Sequence, residues 1–279
     1  MTVLEDVLAD LAAESLQLDG WVAGLAVEGW STVTTPEGWT VAHQVAHLHW
    51  TDAASLTAVT DPPGFGALLK AAAGEPDGYV DRAADELAAI GVDQLLPVWR
   101  EGRVELDAAL RAFESGALRA LESGALRAVP DGEKIPWFGP PMSPASMATA
   151  RFMETWAHGH DVAEALGITV PRTDRVRHVC HLGVRARGFA HLVRGEDLPT
   201  DEVRVELTAP GGELWTWGPA DAEQRVTGDA WDFALLATRR RHRDDVDVRA
   251  EGTSADHWLD VVQAFAGQPG DDPRRLEDR

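Results

Sequence analysis

The apolar residues near the start of the chain fall on a helical period. Leu4, Leu11, Leu18 and Leu25 recur every seven residues, and Val7, Leu8, Trp21 and Val22 fill the same face. This predicts an amphipathic helix over residues 2–25, opened by a capping box of Thr2 and Glu5. Gly29, Pro36 and Gly38 then mark a loop. Thr40 is placed to cap a second helix running to about residue 60. Residues 41–50 carry no charged side chain yet hold His43, His47 and His49. In a chain that is 25% charged, such a run predicts burial on most sides.

Pro62, Pro63, Gly64 and Gly66 read as a break, followed by a short helix over 67–73 and a longer one over about 81–121. The segment FESGALRA at 113–120 is followed at once by LESGALRA at 121–128, a local duplication with no solenoid period. Residues 130–144 are rich in Pro and Gly and predict an irregular connection of the kind that lines sites. Ser143 or Ser146 can open the next helix, with Gly167 at its C-terminal cap. A further helix is expected over 174–194, with Cys180 as a buried small hydrophobe.

Beyond Gly195 the period changes to two. Val203–Thr208 alternates as a half-buried strand, residues 210–212 make a turn, and residues 213–217 pair back as a hairpin. A third strand is read at 225–227, a helix at 231–239, a fourth strand at 246–250 and a helix at 255–265. The expected architecture is α plus α+β: an all-helical part over 1–195, a smaller α+β part over 196–268, and a charged, disordered tail over 269–279.

Bulk properties narrow the function. The net charge of −21 argues against nucleic acid as a partner, because phosphates would be repelled. No apolar run reaches membrane-spanning length, and the first residues carry acids rather than a basic leader, so a cytoplasmic protein is expected. The single cysteine forms neither an internal disulfide nor a CxxC metal site. No P-loop, GxGxxG fingerprint or Ser-His-Asp nucleophile motif competes for the chemistry.

Glu154, His158 and Asp161 stand at i, i+4 and i+7 on the helix after residue 144, in one line on one face. A carboxylate and an imidazole one turn apart have Cβ atoms about 5–6 Å apart, close enough to share one metal ion. Two readings of this line are open. It is a solvated polar face, opposite Phe152, Trp156, Ala163 and Leu166, or it is a ligand set completed by His47. The far face of the second helix offers His43, His47, Trp50 and Ala54, without the Lys or Glu of a solvated face. A cleft between the two parts would suit a site. His43 is open as a ligand or as a group that orients one. His49 and His160 point away and read as core or supporting residues, and His178, His181, His191, His242 and His257 share no pattern.

Trp39-Thr40-Val41 leading to Ala46-His47-Leu48, then Glu154-x-Trp156-x-His158-x2-Asp161-Val162, resembles the DinB-like metal-binding superfamily. Within it the chain is similar to the mycothiol-dependent maleylpyruvate isomerase branch. The stretch WFGPPMSPASMATARFMETWAHG also resembles a metal-binding subgroup of that branch. The resemblance implies an N-terminal four-helix bundle with a smaller C-terminal α/β domain. It implies a divalent metal held by His47, Glu154 and His158, and a supporting carboxylate at Asp161. It also implies an assisting arginine, for which Arg239, Arg240 and Arg241 all stand. Two imidazoles and a carboxylate with a vacant position make a catalytic-type zinc set. The implied activity is that of a transferase or isomerase using a low-molecular-weight thiol of the mycothiol kind on a small electrophilic substrate, in a monomer or homodimer. Two other classes stay open: a metal hydrolase with Asp161 or His43 as base, and a metal-binding protein without catalysis.

Overall fold

The first helix, α1 (Val3–Val22), starts where its capping residues put it. Glu5 N–H donates to Thr2 Oγ1 at 3.3 Å, and Thr2 N–H donates to Glu5 Oε2 at 3.0 Å. It closes at Val22, short of the expected residue 25. The computed structural model describes residues 2–75, 78–116, 134–268, 270 and 272–278. Its chain divides into two units, Met1–Thr169 and Val170–Arg279.

In the first unit α1 is followed by a short α2 (Val27–Trp30) and by α3 (Val41–Thr60). The next helix, α4 (Pro62–Gly74), begins earlier than expected. The Asp61 side chain accepts from Gly64 N–H, and Pro62 occupies the first helical position, where its missing N–H costs nothing. The prolines read as a break are thus a helix start. The single helix expected over 81–121 is two, α5 (Tyr79–Ala88) and α6 (Val92–Glu114), parted at Gly91, whose φ of +86° no helix can contain. Most of the duplicated segment lies outside the described residues. Among residues 134–143, Ile135 and Met142 bond each other in an isolated bridge, and Ser143 caps α7 (Pro144–Ala165) by accepting from Ser146 N–H at 3.2 Å.

The long helices α1, α3, α6 and α7 form the bundle. α3 packs on α6 and α7, and α7 also packs on α1 and α6. Two apolar clusters fill it. One joins Leu4 and Leu8 to Ala58, Phe65, Leu110 and Met147. The other joins Leu18 and Val22 to Val41, Val45, Leu95, Trp99 and Val162. Between these stretches the long helices place polar residues inward: Ser15 and Asp19, His47 and Asp52, the half-buried Arg103, then Arg151, His158 and Asp161. No helix among the described residues is long and apolar enough to cross a membrane.

The second unit takes in the segment 174–192, which is not one helix but a 3-10 turn followed by α8 (Arg177–Arg185) and α9 (Arg187–Leu192). The division therefore falls at residue 169 rather than at the expected 195. The reason is local: α8 packs on α10 (Ala230–Ala237), and the buried Cys180 donates its S–H to the Ala230 carbonyl at 3.2 Å. Burial and the nearby Asp229 push that thiol far up, so it stays protonated. A four-stranded sheet runs in the order β2-β1-β3-β4, with β1 (Val203–Thr208), β2 (Leu214–Trp217), β3 (Gln224–Asp229) and β4 (Val248–Glu251). β1 pairs antiparallel with β2 and parallel with β3, Val205 facing Trp217 and Val226. β3 pairs antiparallel with β4. α10 covers β1 and β3, and α11 (Thr253–Val261) packs on β3 and β4. In the segment expected as a tail, Asp272 pairs with Arg239 and Leu276 N–H donates to Asp245.

Candidate metal centre

The helix that carries Glu154 and His158 is buried nearly all round, not split into wet and dry faces. His47 and His158 are each 8% exposed and Asp161 is 3% exposed. That excludes the solvated-face reading of the Glu-x3-His-x2-Asp line. α3 and α7 bring their histidines to one carboxylate oxygen. His47 Nε2 lies 3.5 Å and His158 Nε2 3.2 Å from Glu154 Oε2, and the two ring centroids are 4.5 Å apart. Tetrahedral ligands about 2.0–2.2 Å from a zinc ion stand about 3.3–3.6 Å from one another. The donor set and its spacing therefore fit a shared divalent ion.

The other ring nitrogens are set differently. His158 Nδ1 lies 2.5 Å from Gln44 Oε1, while the Gln44 amide N–H donates to Thr34 Oγ1 at 2.8 Å and the Thr34 hydroxyl donates to the Trp39 carbonyl at 3.0 Å. An amide oxygen only accepts, so Nδ1 carries a proton, and Nε2 is the nitrogen that a metal would take. His47 Nδ1 is buried without a hydrogen-bond partner. Trp39 stacks on His158 with centroids 6.0 Å apart and planes 20° apart, and lies 5.3 Å from His47. Its indole N–H is pinned to Asp81 at 2.9 Å. Trp50 lies 5.9 Å from His47, centroid to centroid, with the planes tilted by 34°.

Charges behind the site hold it anionic. Burial alone pushes the Glu154 carboxyl up. The hydrogen bonds from His158 and His47, with the Arg151 charge 4.0 Å away, outweigh it and hold the group well below the usual carboxylate range. Arg151 is itself buried and lies over the Trp137 ring. Asp52, one and a half turns beyond His47 on α3, is pushed up to about 7 by burial, against the opposing pull of Arg151 and Arg103.

Asp161 Oδ2 is 3.7 Å from His158 Nδ1, too far for a hydrogen bond, and Gln44 occupies the orienting position instead. His43 is drawn away. Its Nδ1 accepts from Thr40 N–H at 3.2 Å, capping α3, and its Nε2 faces Asp85 at 3.0 Å. It is neither a third imidazole in the set nor a free base beside it. His160 donates to the Trp156 carbonyl at 2.8 Å, and His49 sits against α6 near Gly102, both off the shared point. The three arginines belong to the second unit, where Arg239 adopts a left-handed φ of +62° at the end of α10. Arg240 and Arg241 donate to the carbonyls of Thr238 and Arg240. Gln44, Thr34, Arg151 and Asp52 were not anticipated. The available signal was Gln44 itself, a polar side chain in an uncharged and buried run, which must find partners there.

Comparison with known proteins gives the chain a family and a fold. The family described as the mycothiol maleylpyruvate isomerase N-terminal domain matches residues 11–124 and 119–163, more than half of the chain. A second family, described as wyosine base formation, matches residues 199–251, the span of the sheet. Two uncharacterized proteins of Mycobacterium tuberculosis strains are each 52% identical over 263 residues, covering 94% of this chain and 96% of theirs. The crystal structure of a mycothiol-dependent maleylpyruvate isomerase, and that of a histidine-to-alanine mutant of it, share the fold with a TM-score of 0.56 at 16% identity. Each covers 90% of this chain and 95% of the solved one. The chain belongs to the family of the mycothiol maleylpyruvate isomerase N-terminal domain, within the DinB-like branch that its helical motifs resemble.

Proposed function

We propose that this chain is a mycothiol-linked, isomerase-like enzyme acting on a small electrophilic substrate, with a divalent metal, zinc by donor type, held by His47, Glu154 and His158. The observation that carries the reading is the convergence of two Nε2 atoms on Glu154 Oε2, with Gln44 fixing the tautomer of His158. The solved structure of like fold is a mycothiol-dependent isomerase, which supports a thiol as the co-reactant. When bound, such an ion supplies an open position at which a thiol loses its proton at neutral pH.

The chain's own residues do the rest. Glu154, kept ionised, offsets the charge of the ion. Trp39 and Trp50 wall the imidazoles and restrict water around them. Asp161 supports the His158 side of the site through charge rather than through a hydrogen bond. One of Arg239, Arg240 and Arg241 binds a carboxylate of the substrate or stabilises charge as it develops. Arg239 is favoured by its left-handed backbone, a strain of the kind that collects at functional positions.

The test has two parts. Metal content per chain is measured for wild type and for His47→Ala, His158→Ala and His160→Ala. The first two should each lose one equivalent and the third none, and full content in His158→Ala overturns the ligand set. Metal-loaded protein is then given activated unsaturated acids, maleylpyruvate included, with and without mycothiol. Turnover that ignores the thiol overturns the thiol-dependent reading in favour of hydrolysis or another metal chemistry.

A further inference from the structure

A second meeting of imidazole and carboxylate lies in the other unit. The end of α9 has the backbone of a Schellman motif: Glu196 N–H donates to the His191 carbonyl at 3.1 Å, and Gly195 N–H donates to the Leu192 carbonyl at 2.9 Å, with Gly195 at a φ of +72°. This motif sets the side chain after the glycine against the one in the last helical turn, and that contact is commonly apolar. Here it is Glu196 against His191, Oε2 to Nδ1, at 2.7 Å. His257 arrives from α11 and puts its Nε2 2.8 Å from the same oxygen. The ring centroids are 5.5 Å apart with planes 56° apart, so two in-plane nitrogens aim at one point from different directions. All three donor atoms lie within 4.8 Å of one another.

We propose that His191, Glu196 and His257 form a second divalent transition-metal site, one that ties the end of α9 to α11. A simple hydrogen-bonded cluster is the competing account, and two features favour the metal. Two imidazoles and one carboxylate are the donors that zinc, cobalt and nickel select. Burial is graded outward: His191 is 5% exposed, the Glu196 side chain is one-third exposed and the His257 side chain half-exposed. One ligand is thus fixed, and the outer positions are open to water. The hydrogen-bonded spacing has to open by about half an ångström to reach ligand spacing, and the half-exposed His257 has room to swing. The net charge of −21 further favours cation uptake.

Full-length His158→Ala, in which the first site is disabled, is titrated with zinc and with cobalt. The expected result is uptake of one equivalent per chain, a cobalt absorption spectrum of a nitrogen–oxygen ligand set, and a melting temperature that rises with zinc. Adding His257→Ala, or Glu196→Gln, should abolish all three while the apo circular dichroism stays unchanged. The half-exposed His257 and the isosteric glutamine leave the fold intact. No uptake by a folded His158→Ala chain overturns the proposal, as does uptake that persists in both double variants. A failure at His47 and Glu154 leaves this result unaffected, because the two sites are read in separate variants.

Discussion

Gln44 and His158, on different helices of the bundle, meet at 2.5 Å, and this contact decides which nitrogen of His158 faces Glu154. Gln44→Leu removes the acceptor while keeping the volume apolar. It should weaken metal binding about 10–100-fold, the usual cost of losing the partner behind a ligating imidazole. Gln44→Glu still accepts the Nδ1 proton and should bind metal far better than the leucine variant. Competition with a chelator measures both, and equal affinity in leucine and glutamate variants would refute the orienting role.

His43 stands one turn from His47 but serves α3 as its cap. His43→Ala should cost about 0.5–2 kcal/mol of stability, the range for losing a helix cap, and leave metal content unchanged. Denaturant unfolding together with elemental analysis checks this. A loss of metal in this variant would place His43 among the ligands after all.

Asp52 holds its proton up to about pH 7 in the folded chain, against an ordinary value of 3.8. The folded state therefore binds this proton more tightly than the unfolded one. The stabilisation is complete below the ordinary value and fades as pH rises through about 7. Its ceiling is about 4 kcal/mol. Asp52→Asn should remove the slope, so the variant gains on wild type between about pH 5 and about pH 8 in metal-free protein. Unfolding midpoints at both pH values test it; a gap that does not change with pH would contradict the assignment.

Asp19 behaves with the opposite sign. Its hydrogen bonds to Arg100 at 2.6 and 2.7 Å, opposed by burial and reinforced by the Arg100 and Arg103 charges, hold the carboxyl below its ordinary range. Its contribution is present above 3.8 and lost as pH falls. Asp19→Asn should cost about 1–3 kcal/mol at neutral pH, because the half-buried Arg103 loses its counter-charge. The difference from wild type should shrink in acid, and a constant difference down to about pH 3 would argue against it.

Much of this was written in the chain order. Thr2 and Glu5 announced the first cap, the alternation at residues 203–208 announced β1, and the spacing from Glu154 to His158 announced that the two side chains meet. What stayed hidden depended on partners distant in sequence. Nothing near Gln44 says that its oxygen faces residue 158, and the alternation of β3 does not say that it runs parallel to β1. Pro62 misled because the same residue ends one element and opens another, and only the Asp61 cap decides which. His191 and His257 look unrelated because a Schellman turn and a separate helix are needed to bring them together.

The polar belt across the waist of the bundle has apolar packing above and below it, and neither half relies on the ligands for its contacts. Exchanging those ligands should therefore silence the reaction without unfolding the chain. Filling the belt with hydrocarbon should even make it sturdier, since buried ions rarely repay their dehydration. If the proposed chemistry holds, reactivity and durability fall to separate tiers of one scaffold, leaving evolution free to rewrite the middle tier while the outer two keep the shape.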